Sequence, residues 1–307
     1  MSATRLRRYA WFVLGYTVLV ILFGAVVRAT GSGAGCGSDW PACRGSVVPL
    51  SGTAETVIEF THRASSGIAL ILVLVLAAAV LRSRPRRDAV RIAAVAAVVL
   101  IVNEALIGAM LVLFGWVADD ESMGRAVSIS LHLVNTFLLL AALAVTAWWL
   151  GDGARIARPL PPRERRRLGW AAAGLLVAGA AGAITALGDT LFPAESVFAG
   201  IRDDFTGAFL VRLRWVHPIV AVAAGVYLAW LVPRYSAHRG RVERLGILLV
   251  WLVGLQIGLG FVNVLLLAPI WMQLVHLLFA DLLWVAFVFF SVEAIAAVQE
   301  RDRVEAV

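Results

Sequence analysis

A chain of 307 residues that is 61% apolar, 15% charged and has a mean hydropathy of +0.87 lacks the polar surface a soluble domain needs, which excludes a water-soluble enzyme. Its 27 basic residues are all arginine and give a net charge of +7, without the aromatic or motif context that nucleic-acid recognition requires. We therefore expect an integral membrane protein with membrane lipid around it and no nucleic-acid partner.

Apolar runs long enough to cross a bilayer fall near 9–29, 62–81, 89–115, 126–150, 169–188, 215–233, 246–268 and 272–297. Strand-like alternation is absent, and lipid cannot satisfy an unpaired backbone, so eight transmembrane helices are predicted. The first follows Arg5, Arg7 and Arg8 like a signal peptide, but it is too long and lacks a small-residue cleavage site before Arg28, so it reads as a retained helix. Arginines crowd the start, 82–91, 155–167 and 234–244, whereas acids such as Glu55, Asp119, Asp203 and Asp204 lie in the opposite loops. That bias predicts two cytoplasmic termini. Pro159, Pro161 and Pro162 mark an inner linker.

The expected fold class is all-α, with eight helices forming two pseudo-symmetric four-helix bundles. The N-terminal half is 1–150, the basic cytoplasmic linker 151–168 and the C-terminal half 169–307. Ile107-Gly108-Ala109-Met110-Leu111 can be laid on Ile257-Gly258-Leu259-Gly260-Phe261, and each is followed by a short outer connection and a span with an early histidine. Four spans per half is an even number, so the halves share one orientation.

His62, His132, His217 and His276 open the second, fourth, sixth and eighth spans. All four fall at the outer level, His132 roughly 9 Å below its helix start and His62 almost at the boundary. Ionisable or metal-binding groups inside a membrane need a reason to be there. Histidines from facing helices can hold the iron of a flat macrocycle from both sides, so one haem per half is expected. His238, in a basic loop, reads as solvated.

The halves differ beside the histidines, because Glu59-Phe60-Thr61-His62 corresponds to Arg214-Trp215-Val216-His217. Glu59 shares a helix face with His62 and can act as a general base or steady positive charge. Arg214 suits a carboxylate such as a haem propionate. Cys36 and Cys43 occupy a Gly/Pro-rich outer loop that favours a disulfide, structural or redox active. Asn103, Glu104, Asn135, Gln256 and Asp281 lie within spans, where interhelical hydrogen bonding explains most of them; Glu104 and Asp281 receive no role. Arg28 reads as a snorkelling residue or a propionate partner.

These residues resemble the haem A synthase family, in the bacterial type with a cysteine pair in the first outer loop. The resemblance runs through Val27-Arg28-Ala29-Thr30-Gly31-Ser32-Gly33-Ala34-Gly35-Cys36, Asp39-Trp40-Pro41, Cys43, Glu59-Phe60-Thr61-His62-Arg63, Trp215-Val216-His217-Pro218 and Leu274-Val275-His276-Leu277. It implies an oxidoreductase of the bacterial plasma membrane that converts the C8 methyl of haem O to a formyl group through a hydroxymethyl intermediate, making haem A for terminal oxidases. It further implies that His62 and His132 bind the substrate haem, that His217 and His276 are axial ligands of a haem b cofactor, that Glu59 is catalytic and that Cys36 and Cys43 are the outer-loop pair. A second cysteine pair found in some members is absent from 189–214. Pathway logic adds a haem O synthase as partner, with an unnamed electron acceptor and either a monomer or a homo-oligomer. The alternative from the residues alone is a di-haem b-type membrane electron carrier, and a thiol oxidoreductase built on the cysteines leaves the histidines unexplained.

Overall fold

The computed structural model describes residues 2–49, 51–153, 161–236 and 240–304. His238 and much of the inner linker, including Arg155, Arg158 and Pro159, lie outside the described residues. Helices α1 (Ala3–Ala29), α2 (Ala54–Ser83), α3 (Val90–Leu113), α4 (Met123–Trp149) and α5 (Pro162–Leu191) come first. They are followed by α6 (Val197–Thr206), α7 (Phe209–Arg212), α8 (Val216–Leu231), α9 (Pro233–Ser236), α10 (Arg241–Leu265) and α11 (Ile270–Val304). Among the described residues, eight segments are long and apolar enough to cross a membrane, the sixth being Phe209–Tyr235, which joins α7 to α9. The chain is a multi-pass, all-α membrane protein.

Long runs of Ala, Val and Leu favour helices in lipid because each backbone N–H then pairs within its own segment. Serines begin several of them: Ser2 accepts from Arg5 N–H, Ser122 from Arg125 N–H and Ser196 from Ala199 N–H. Hydropathy alone misplaces some ends. Helix α2 starts eight residues before the apolar run, so His62 sits about 12 Å along its helix rather than at the boundary. The reason is local, since the polar first turn is held by the preceding loop, where Thr56 Oγ1 donates to Gly35 O at 2.8 Å. Helix α5 likewise begins in the arginine-rich segment, where Arg167 pairs with Glu164 at 3.0 Å. The short outer helix α6 carries no long apolar run and escapes a hydropathy reading altogether.

Helix α1 packs on α2 and α4, α2 on α3, and α3 on α4; α5 packs on α8 and α11, α8 on α10, and α10 on α11. The two groups meet where α4 contacts α5 and α11 and where α1 contacts α11. At that seam Phe137 stacks on Trp284 with ring centres 5.5 Å apart, and Trp284 Nε1 donates to Phe137 O at 2.5 Å. Trp148 stacks on Phe289 at 4.4 Å. Lipid tails are as apolar as leucine, so such close packing and hydrogen bonding, rather than the hydrophobic effect, hold membrane helices together. Ile71, Val99, Val226 and Trp251 are exposed, as a lipid-facing surface requires.

Candidate functional site

Each of the four histidines meets a glycine on the preceding long helix. A methyl group at Gly24 would stand 3.0 Å from His62 Cε1, and one at Gly182 would stand 3.0 Å from His217 Cε1. At Gly260 it would be 3.2 Å from His276 Cε1, and at Gly108 3.9 Å from His132 Nε2. Glycine lets the backbone of α1, α5 and α10 come within touching distance of an imidazole. The recurrence also corrects the repeat register: Gly260, not Gly258, is the counterpart of Gly108, a shift of two residues that short apolar matches cannot resolve.

In the second half, the rings of His217 and His276 lie 6.2 Å apart, centre to centre, and nearly perpendicular. A metal bound about 2 Å from one nitrogen of each ring sets the ring centres roughly 6 Å apart, so this pair fits a bis-histidine iron. His217 Nδ1 is 3.0 Å from Ala178 O, a backbone contact of the kind that orients a ligand imidazole and leaves Nε2 for metal. His276 Nδ1 is buried without a hydrogen-bond partner, as is His62 Nδ1. In the first half, His62 and His132 lie within electrostatic reach of each other, and Phe23 meets the His62 ring edge-on at 6.0 Å. The donor set, the orphaned nitrogens and the glycine-lined approaches therefore suit a haem in each half.

The carboxylate that touches this histidine pair is Glu104. Its Oε1 is 2.7 Å from His132 Nδ1, an ion-pair distance, although the approach is bent away from a linear hydrogen bond. Thr136 Oγ1 and Asn135 Nδ2 donate to the same carboxylate, and Asn103 Nδ2 donates to Asn135 Oδ1 at 2.8 Å. In the second half, Gln256 Nε2 donates to His276 O at 3.0 Å and stands 3.2 Å from His276 Nε2. Sequence reasoning left Glu104 without a role and placed Gln256 among residues that make interhelical hydrogen bonds, as it does here. The available signal was spacing, since each lies four residues before the glycine that faces the next histidine, but only the corrected register reveals it.

Glu59 is directed elsewhere. It is buried, and it accepts from Cys36 N–H at 2.7 Å through Oε2 and from Arg63 Nη2 and Nε at 2.5 and 3.1 Å through Oε1. Arg63 also donates to Asp39 O at 2.7 Å and Ala42 O at 2.6 Å, and it lies within electrostatic reach of His62. Cys36 and Cys43 form a disulfide, so the loop they close, Arg63 and Glu59 are one connected unit. Gly35 makes the docking feasible, because a Cβ there would lie 2.4 Å from the backbone of Glu55.

Arg214, read as suited to a carboxylate such as a haem propionate, meets two carboxylates of the protein, Asp189 at 2.9 Å and Asp204 at 3.0 Å. Burial pushes the Asp204 carboxyl above its ordinary range against the opposing pull of Arg214. Arg28 does not snorkel. Its Nη1 donates to Ala186 O and Thr190 Oγ1, each at 2.6 Å, and its Nη2 to Gln273 Oε1 at 2.7 Å, tying α1 to α5 and α11. Asp281 is fully buried with both carboxyl oxygens lacking a hydrogen-bond partner.

Eight segments long and apolar enough to cross a membrane, with four histidines that each face a glycine of a neighbouring helix, define a polytopic membrane protein. The chain belongs to the COX15-CtaA family of cytochrome oxidase assembly proteins, the haem A synthase family, whose model matches residues 7–288. It is 47% identical over 300 residues to a protoheme IX farnesyltransferase of Thermus thermophilus, which covers 95% of this chain and 49% of that protein. A heme A synthase of Halalkalibacterium halodurans is 29% identical over 280 residues, 87% of this chain and 89% of the relative. Another heme A synthase, of Shouchella clausii, is 45% identical over 127 residues, 41% of this chain and 42% of its own. The chain thus spans about half the length of the Thermus relative.

Proposed function

We propose that the protein is a haem A synthase that oxidises the C8 methyl of haem O to a formyl group by way of a hydroxymethyl intermediate. The observation that carries this reading is the pair of unlike histidine sites at one level of the two halves. A cytochrome that only passes electrons across the membrane needs groups toward both faces, whereas these four histidines share one. In this reading His62 and His132 bind the substrate haem and His217 and His276 hold a haem b. That cofactor, when bound, supplies a one-electron relay. The positive-inside rule puts the arginine-rich side in the cytoplasm of a bacterial plasma membrane, so the histidines lie toward the outer face.

Turning a methyl into an aldehyde with water as the oxygen source removes four electrons and four protons in two two-electron steps, the electrons leaving to an acceptor outside this chain, and positive charge develops beside the reacting carbon. The family resemblance, rather than a contact with the histidines, assigns Glu59 to that charge. Three hydrogen bonds from Cys36 and Arg63 already engage its oxygens, which suits fixed electrostatic stabilisation better than proton abstraction. Arg63 positions Glu59, and the disulfide loop positions Arg63. Glu104 orients His132 on the other side of the first-half site.

A haem substrate already carrying a farnesyl chain agrees with the name of the Thermus relative, which describes a chain about twice as long. We assign farnesyl transfer to a haem O synthase partner. The test is expression with and without a source of haem O, followed by pigment extraction and chromatography. Haem A should accumulate only when haem O is supplied, and Glu59→Gln should keep haem b while conversion falls by about 100-fold, the scale of losing one preorganised charge-stabilising group. Delivered haem O without hydroxylated or formyl product would sink the assignment. So would formation of haem O by this chain alone from protohaem and farnesyl diphosphate, without further oxidation.

A further inference from the structure

The corrected repeat places Glu104 and Gln256 at equivalent positions, four residues before Gly108 and Gly260, and each contacts the histidine of the following span. One is a carboxylate and the other an amide of nearly the same shape. The contacts differ as well, since Glu104 meets His132 at Nδ1 and Gln256 meets His276 at Nε2. We propose that the Glu104 carboxylate sets the two haem sites at unequal reduction potentials, acting as a positioning residue for His132. The proposal rests on the two-haem reading above and adds a direction to it.

The surroundings show that the carboxylate is built in rather than incidental. Asn135 and Thr136, one turn below His132, both donate to it, and Asn103 anchors Asn135 from α3. Asn135 Nδ2 also reaches Leu100 O at 2.9 Å. Glu104 is thus fixed from two helices, with one oxygen against His132 Nδ1, which leaves Nε2 as the nitrogen for iron. A carboxylate on the far nitrogen of a ligand imidazole makes that ligand more electron-donating, which favours oxidised iron and lowers the potential. Low dielectric amplifies the effect. In the second half, His217 Nδ1 meets a backbone carbonyl and, among the described residues, His276 Nδ1 has no hydrogen-bond partner, so neither far nitrogen meets a carboxylate. The first-half iron should therefore sit lower in potential than the second, and an electron placed in the first half runs downhill to the second.

The test uses the purified full chain saturated with iron protoporphyrin IX in both sites, titrated potentiometrically and followed by the visible bands. Two transitions are expected. Glu104→Gln should raise the lower one and leave the higher unchanged, and Glu104→Asp, which keeps the charge, should move the lower one less. Should Glu104→Gln lose one haem instead, the loss from the low-potential site alone supports the positioning role, and Glu104→Asp then supplies the potential readout. An unchanged lower potential in Glu104→Gln at full haem content overturns the proposal, as does an equal shift of both transitions. A clean shift in a protein that makes no haem A would leave this inference standing while removing the synthase reading.

Discussion

At the scale of single residues, the site is governed by which buried charges have partners. Glu59 and Arg63 are four residues apart on α2, and their side chains are only 4% and 13% exposed, so neither can turn to water if the other is removed. Removing one member of a buried pair leaves an uncompensated charge and costs about 3–5 kcal/mol. Arg63→Leu should therefore lower the melting temperature of the detergent-solubilised protein clearly, and the double variant Arg63→Leu/Glu59→Gln should recover much of the loss. If the double variant melts no higher than the single one, the pair is not what stabilises this corner. The motif Glu59-Phe60-Thr61-His62-Arg63 was legible in the sequence. The direction Glu59 takes was not, because it depends on a loop whose contacts are distant in the chain.

At the scale of helices, the fit between a glycine on one span and an imidazole on the next distinguishes the four sites. A Cβ at Gly24 or Gly182 would lie 3.0 Å from a ring carbon, tighter than ordinary contact, whereas at Gly108 it would lie 3.9 Å away. Gly24→Ala and Gly182→Ala should each disturb the haem spectrum of their own half and spare the other, and Gly108→Ala should be close to silent. Absorbance and haem content per protein check this order, and a Gly108→Ala variant as damaged as the other two would show that the glycines serve general packing instead. Helix existence was readable from hydropathy, because about 20 apolar residues in lipid have no alternative to a helix. Helix ends were less so, since α2 and α5 extend into polar sequence stabilised by Gly35, Glu164 and Arg167.

At the scale of the whole molecule, the two groups of helices are joined by stacked aromatics at the α4–α11 seam and by Arg28 at the histidine level. Three hydrogen bonds from one guanidinium link α1 with α5 and α11, and bonds to a charged group contribute about 1.5–3 kcal/mol. Arg28→Leu should loosen this end of the seam, seen as a lower melting temperature and faster limited proteolysis with both haem transitions still present. An unchanged melting temperature would show that the aromatic seam alone holds the halves together.

The sequence by itself determined the membrane class, the eight spans, the fourfold recurrence of histidine and the family resemblance. These rest on local composition and short motifs, which need no knowledge of neighbours. Tertiary structure alone decided that Glu104 rather than Glu59 touches a histidine, that Arg214 is met by Asp189 and Asp204, that Arg28 is turned inward and that the repeat aligns Gly108 with Gly260. Each of these is a contact between helices or between a loop and a helix. A buried polar group in a membrane takes whichever partner folding brings within reach, and the one-dimensional pattern of hydropathy holds no record of that choice.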